Sequence, residues 1–317
     1  MKIIGNKITT NMSLFAFLGF LIIVFSFTSE HFLGIYNITS LLTNISYSGI
    51  AAIVLTLIII SRGLDISIGG VIGLTTVVIA TLYSQSDPLP VWLILIIGLS
   101  TGALVGLLNG WCITVLNMDP IITTLGAMAI TRGLAYVISD SQSILMFEDT
   151  TDFISNGTIL FIPIPIILFL ITALIFSIIL HKSKFGRAVY AIGANETSAS
   201  LSSISVKKVK MILYVLSGLA ASISGIILVG QTSVGMPQHG IGTELEVITA
   251  VLLGGTALSG GKGTIYGTIA GVLILGVLFN GLTISGLRYV HLQIFQGILL
   301  LAAVATYEIK TRNEVAT

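Results

Sequence analysis

Six lysines and arginines flank one short polar segment within residues 182–210, and they are the side chains best suited to bind another molecule. They are Lys182, Lys184, Arg187, Lys207, Lys208 and Lys210, from a total of 14 basic residues. The middle of the segment, 195–202, has the composition of a short surface helix with Asn195 as its N-cap. This pattern predicts a docking element for a soluble partner. Its expected contact residues are Arg187, Gly193, Asn195, Glu196, Ser198 and Ser203.

Residues that could perform catalysis are not grouped in any comparable way. The 4 histidines are scattered without an i, i+4 pair, which argues against a metal site. Glu244 and Glu246 are two positions apart and would not share a helix face, and no serine stands in a G-x-S-x-G context. We therefore expect no enzymatic activity, no metal and no cofactor.

The glycine-rich segment 254–264 resembles a phosphate-binding loop, but it departs from that motif at two positions. A phosphate loop reads G-x-x-x-x-G-K-[ST]. Lys262 follows a glycine here, but Thr256 replaces the first glycine and Gly263 replaces the final hydroxyl residue. We therefore expect that this chain does not itself hydrolyse ATP.

The overall composition is that of a protein embedded in a lipid bilayer. Hydrophobic residues make up 55% and charged residues 9% of the chain, against roughly 25% charged residues in soluble domains. Apolar runs near the ~20 residues needed to cross a bilayer recur throughout. The net charge is +1 and the basic residues lie in loops, so we expect no nucleic-acid partner.

The elements that position these residues are long apolar segments. We predict an all-α polytopic membrane protein with about ten transmembrane helices, forming one domain over residues 1–317 with 182–210 as its cytoplasmic docking loop. The predicted spans are 12–29, 39–60, 67–84, 91–116, 120–138, 162–181, 210–230, 245–258, 264–285 and 290–308.

The distribution of cations between these spans predicts the orientation of the chain. With a cytoplasmic N-terminus, all of the 14 basic residues lie on the inner side except Arg288, which lies outside, and Arg132, which falls within a span. Loops rich in lysine and arginine are retained in the cytoplasm. We therefore expect a multi-pass protein of the cytoplasmic membrane with both termini inside.

Arg132 is the one cation predicted to lie deep inside a span. It is about 12 residues, or ~18 Å of helical rise, from the start of its span, where a charge costs at least ~2.5–3.5 kcal/mol. We expect it to face the bundle interior and to pair with Glu244 or Glu246. A structural ion pair is the favoured interpretation, and a direct role in transport is the alternative.

Four motifs in order resemble the membrane subunit of bacterial ATP-binding-cassette sugar importers, the ribose-type monosaccharide permeases. The similarity covers about 40–305, and the motifs are GLDISIG at 63–69, PIITTLG at 120–126 continuing to RG at 132–133, FGR at 185–187 with YAIGAN at 190–195, and LGGTALSGGKGT at 253–264. One position departs from the pattern. Such permeases usually carry Gly-Ile after the docking helix, and this chain has Ser203 before Ile204.

The resemblance implies a set of partners and a fold. Two permease subunits, identical or different, would form the pathway, and two cytoplasmic ATPase subunits would bind the 182–210 loops. An extracytoplasmic binding protein would deliver the sugar to the outer face. The implied fold is that of the larger-type importers, with ten helices per subunit in the bacterial inner membrane.

A pathway for a sugar needs polar side chains inside the bundle, because a hydroxyl group that leaves water must regain hydrogen bonds. For each candidate, hydrogen bonding between helices is an equally good interpretation. The candidates within the predicted spans are Asn44, Asn109, Thr123, Thr124 and Asn280.

A stand-alone secondary transporter, or a facilitator of a small polar solute, is the alternative function. It would be coupled to an ion through Asp65, Glu246 or Arg132. The scarcity of acidic residues within the spans and the presence of the basic docking loop argue against it.

Overall fold

The computed structural model describes residues 2–146 and 155–316, and these residues are mainly helical. The helices are α1 (Lys2–Thr28), α2 (Ile35–Ile60), α3 (Ile68–Tyr83), α4 (Val91–Thr114), α5 (Pro120–Ile138), α6 (Ile164–Lys182), α7 (Lys184–Ala194), α8 (Glu196–Leu201), α9 (Val206–Thr232), α10 (Thr243–Leu253), α11 (Ile265–Ile284) and α12 (Tyr289–Ala316). The strands have two residues each: β1 (Ile144–Leu145), β2 (Thr158–Ile159), β3 (Ile162–Pro163) and β4 (Val234–Gly235).

Every predicted apolar span overlaps one of these helices, and the chain is a helical multi-pass membrane protein. Six of the described helices are long and apolar enough to cross a bilayer by length and composition, namely α2, α4, α5, α6, α9 and α11. Shorter apolar stretches occupy Leu14–Thr28 in α1, Ile68–Tyr83 in α3 and Val290–Ala305 in α12. Helix length therefore supports six crossings directly, and the full count of about ten stays a prediction.

Helix α10 is shorter than its predicted span, 245–258. It has 11 residues, which correspond to ~16 Å of rise against a hydrocarbon core of ~30 Å. The helix ends at Leu253 because the chain turns at Gly254 and Gly255, and Gly255 has a φ of +84° that favours glycine. A helix of this length inside a bundle must have both ends packed against protein or a polar cavity.

Helix α2 forms the centre of the bundle. Its residues from Ile50 to Ile60 are all buried, and several of them have no exposed surface. It packs against α6, α9, α10 and α11. Its burial by four other helices places this apolar segment at the centre of the bundle rather than against lipid.

Glycines allow α4 and α9 to approach closely. A Cβ atom on Gly102 would lie 2.1 Å from the Gly218 carbonyl oxygen, and one on Gly106 would lie 2.2 Å from the Tyr214 carbonyl oxygen. Lipid provides no hydrophobic force between helices, so this backbone contact supplies the van der Waals packing that holds the pair together.

On the predicted outer side, the segment after α9 is irregular and lies against other elements. Strand β4 pairs with β1 in antiparallel register, Ile144 opposite Gly235. The chain then turns through 236–242 before α10 begins, with Gly240 and Gly242 in the left-handed region at φ +77° and +84°. This segment, called the 236–242 turn below, carries backbone carbonyls and polar side chains into the bundle.

Candidate functional site

The predicted docking element is a pair of capped helices. The Ser183 hydroxyl accepts a hydrogen bond from the Gly186 amide at 3.0 Å and caps α7. The Asn195 side chain accepts from the Ser198 amide at 2.9 Å and caps α8. The short surface helix predicted at 195–202 is thus present as α8, and Asn195 is its N-cap as predicted.

A network of hydrogen bonds anchors α7 to the transmembrane body. The Tyr190 hydroxyl donates to the Gly263 carbonyl at 2.7 Å, and burial raises the Tyr190 pKa, so this hydroxyl keeps its proton. Arg62 donates from Nη2 to the Ala194 carbonyl at 3.0 Å and from Nε to the Ser259 carbonyl at 2.8 Å. The end of α7, the loop after α2 and the glycine-rich segment 254–264 therefore form one junction.

Gly193 lies inside this junction rather than on the docking surface. A Cβ atom there would lie 1.7 Å from the Ile60 carbonyl oxygen and 2.5 Å from the Gly261 amide nitrogen. The Gly261 amide itself donates to the Ile60 carbonyl at 2.8 Å. The expectation that Gly193 contacts a partner is thus corrected, because the residue is buried and acts by allowing close backbone approach.

The other predicted docking residues are exposed. They are Arg187, Asn195, Glu196, Ser198 and Ser203. Leu201, at the end of α8, is 84% exposed. Leu201 is not among the docking residues predicted from the sequence, because a single exposed leucine is common on protein surfaces and gives no signal of its own.

An ion pair fixes α8 against the start of α9. Lys210 Nζ lies 2.6 Å from Glu196 Oε2, and their side chains are 14% and 49% exposed. A pair with this exposure contributes about 0.2–1 kcal/mol. It links the first turn of α8 to the start of the membrane helix α9.

Ser203 has a φ of +62°, in the left-handed region. This conformation costs a non-glycine residue roughly 1–2 kcal/mol. The geometry gives a physical reason for the glycine that such permeases usually carry here. The turn keeps its left-handed conformation with serine in this position.

Arg132 binds two backbone carbonyls rather than a carboxylate. Its Nη1 donates to the carbonyls of Pro237 and His239, the second at 2.7 Å. No carboxylate among the described residues forms an ion pair with it. The expectation of a direct ion pair with Glu244 or Glu246 is thus corrected. The 236–242 turn presents its carbonyls to the guanidinium, and these hydrogen bonds join α5 to the turn. This contact is called the carbonyl clamp below.

The two acids of α10 have different surroundings. Glu244 accepts from the Gly242 amide at 3.2 Å, and its other carboxylate oxygen is buried against α3, with no hydrogen-bond partner among the described residues. It acts on Arg132 only through longer-range electrostatics. Glu246 is partly buried beside Ser48 and faces a cavity.

Asn109 belongs to a buried network near the start of α3. It donates to the Ser67 hydroxyl at 3.0 Å, and this hydroxyl donates to Asp65 Oδ1 at 2.6 Å. Asp65 also accepts from the Ser67 amide at 2.9 Å. Burial raises the Asp65 pKa, and the hydrogen bonds from Ser67 oppose this effect. In this structure Asn109 therefore joins α4 to the loop before α3.

The remaining predicted pathway residues differ in their surroundings. Asn280 exchanges two hydrogen bonds with Asn37, at 2.9 and 3.0 Å, which join α11 to α2. Thr123 and Thr124 donate to carbonyls of their own helix, each at 2.8 Å.

Asn44 is exposed and lines a cavity of about 530 Å³ at the predicted outer end of α2. Of this set, Asn44 is thus the residue that faces an open polar cavity.

Comparison with known proteins identifies similar sequences over most of the chain. A family model described as "Branched-chain amino acid transport system / permease component" matches residues 37–304. The ribose import permease protein RbsC of Bacillus subtilis is 39% identical over 293 residues, covering 91% of this chain and 90% of the relative. RbsC of Escherichia coli K12 is 36% identical over 288 residues, covering 90% and 89%.

A further relative is named for a different sugar. The L-arabinose transport system permease protein AraH of Escherichia coli K12 is 36% identical over 268 residues, covering 84% of this chain and 81% of the relative. No solved structure matches the chain significantly.

Proposed function

This chain belongs to the family of transport-system permease components, and from that premise we propose that it is the membrane subunit of an ATP-binding-cassette importer that moves a monosaccharide into the cell. A separate cytoplasmic ATPase drives it, and an extracytoplasmic binding protein supplies the solute. A second permease subunit, identical or different, completes the pathway.

One observation carries the proposed coupling to an ATPase. Helix α8 is exposed, while the preceding helix α7 is fixed to the ends of transmembrane helices through Tyr190, Arg62 and Gly193. A rigid element with an exposed tip suits the transmission of force from a bound motor subunit. The exposed Leu201 supplies an apolar anchor, and the neighbouring lysines supply charge for orientation.

The choice of a monosaccharide rests on chemistry at the predicted outer side. The 530 Å³ cavity at Asn44 is lined largely by hydroxyl and amide side chains, including Thr39, Thr43 and Gln231, and none of the described residues that line it is a lysine or arginine. Such groups replace the hydrogen bonds that sugar hydroxyls lose when they leave water. A branched-chain amino acid would instead favour an apolar pocket for its side chain and hydrogen-bond donors for its carboxylate.

Copurification tests the proposed function. The tagged chain, extracted in mild detergent from cells that express its transport system, should retain a subunit that hydrolyses ATP. Deletion of α7 and α8 removes the proposed docking element and should release this subunit. Retention of the ATPase by the deletion variant would contradict the docking assignment.

We also propose ten crossings with both termini in the cytoplasm, and impermeant thiol labelling of intact cells tests this topology. Single cysteines at Asn156 and Ser198, in a Cys112→Ala background, should give opposite results. The first should be labelled from outside and the second only after the membrane is opened. Labelling of both, or the reverse pattern, would refute the topology.

A further inference from the structure

A second, smaller cavity lies where the 236–242 turn and the start of α10 meet α2, α11 and α12. Its volume is about 260 Å³, just below the ~300–1,000 Å³ range of drug-sized ligand pockets. Six polar side chains line it: Gln238, His239, Thr243, Glu246, Gln293 and Gln296. Tyr47 and Phe279 contribute aromatic surface to the same wall. The cavity is thus small, polar and flanked by aromatic rings.

Part of this polar lining is fixed in place and part of it is unsatisfied. Gln296 donates to the Gly242 carbonyl at 3.0 Å, which holds α12 against the turn. His239 Nδ1 is buried and has no hydrogen-bond partner among the described residues. Buried polar atoms are nearly always hydrogen-bonded, so the wall of the cavity contains a polar group that the described residues leave unsatisfied.

The charges around the cavity restrict the class of ligand. Among the described residues that line it, Glu246 is the one acidic side chain, and none is a lysine or arginine. Arg132, whose charge acts on His239, is bound to the backbone carbonyls of Pro237 and His239. Burial, followed by the Arg132 charge, lowers the His239 pKa and favours a neutral ring. An anionic ligand would therefore meet Glu246 without a compensating cation.

We propose that this cavity binds one uncharged polyhydroxylated solute, a single monosaccharide, during its passage through the subunit. The assignment rests on the proposed function and adds a location and a charge class to it. Carboxylate and carboxamide groups can each engage adjacent hydroxyls, because a carboxylate accepts at two oxygens and an amide both donates and accepts. The described lining belongs to one permease subunit, which would contribute it to the pathway that two subunits complete.

The test begins with the sugar that the reconstituted transporter takes up from a panel of pentoses and hexoses. Single cysteines replace Gln293, which lines the cavity, and His291, which is exposed and outside it, in a Cys112→Ala background. The sugar should slow labelling of Gln293→Cys by an impermeant maleimide at least about threefold. It should leave His291→Cys unaffected, and leucine or the phosphorylated sugar should protect neither position.

A second variant provides a readout that does not depend on labelling. Glu246→Gln keeps the shape of the side chain but removes the charged acceptor, and hydrogen bonds to charged groups are among the stronger ones. We expect the KM for uptake to rise about tenfold or more while ATPase copurification is unchanged. This measurement decides the proposal if Gln293→Cys does not fold.

The outcomes separate a failure of the cavity assignment from a failure of the proposed function. If sugar is taken up but labelling and KM are both unaffected, the cavity assignment is wrong and the proposed function stands. Protection by leucine in place of sugar overturns the proposed ligand class. If the wild-type transporter takes up no sugar of the panel, the proposed function fails and the cavity assignment fails with it.

Discussion

Replacing Asn195 and Glu196 together with alanine should uncouple ATP hydrolysis from solute uptake while the chain remains inserted and folded. Loss of the Asn195 cap costs about 1 kcal/mol, and loss of the Glu196 pair with Lys210 costs about 0.2–1 kcal/mol. Helix α8 has 6 residues, well below the ~12–15 that an isolated helix needs for marginal stability. It should therefore lose its order and transmit little of the ATPase movement.

The measurement compares uptake and ATP hydrolysis in the same proteoliposomes. Uptake by the double variant should fall close to background, and hydrolysis should continue without a matching response to solute. Thr197→Ala is the matched control, because it changes an exposed side chain in the same helix and leaves both the Asn195 cap and the Glu196–Lys210 pair intact. Normal coupling between ATP hydrolysis and uptake in the double variant would contradict the assignment of α8 as the element that transmits the ATPase movement.

Arg132→Ala should lower the free energy of unfolding by about 2–5 kcal/mol. The substitution leaves the Pro237 and His239 carbonyls without their donor, and each buried unsatisfied group costs about 1–3 kcal/mol. It also releases α5 from the 236–242 turn. Thermal unfolding in detergent should show a clearly lower midpoint, and Arg132→Lys should lie between the variant and the wild type because it retains a donor.

A charge-swap variant tests whether Arg132 is held by the backbone carbonyls of the carbonyl clamp or by an ion pair with an acid. If carbonyls hold Arg132, then Arg132→Glu combined with Glu246→Arg should be no more stable than Arg132→Glu alone, because a carboxylate cannot donate to carbonyls. Recovery of stability in the swapped pair would instead support direct pairing with the acid. A single Arg132→Ala variant with wild-type stability would contradict both accounts.

The helical framework could be predicted because apolar runs of membrane length are long and unambiguous. Each predicted span overlaps one of the described helices, although the bounds differ. The short length of α10 could not be obtained from hydropathy, since the residues after Leu253 are not strongly polar. The helix ends there because Gly255 adopts a left-handed conformation, and this depends on the surrounding fold as much as on residue type.

The docking element could be predicted because its capping residue and its polar composition are local signals. The position of Gly193 could not, since a glycine at the end of a helix is equally compatible with a surface contact and with close packing. The partner of Arg132 could not be predicted either, because every residue has a backbone carbonyl that could accept its hydrogen bonds. Only the tertiary course of the 236–242 turn selects Pro237 and His239.

The most direct test of the account is solute uptake into proteoliposomes that contain the chain, its ATPase subunit and its binding protein. We expect monosaccharide uptake when ATP is supplied on the ATPase side, and none when a proton or sodium gradient is imposed without ATP. Uptake driven by an ion gradient, with the chain as the only protein present, would contradict the account. That result would identify a secondary transporter, with Asp65, Glu246 and Arg132 as the first residues to examine.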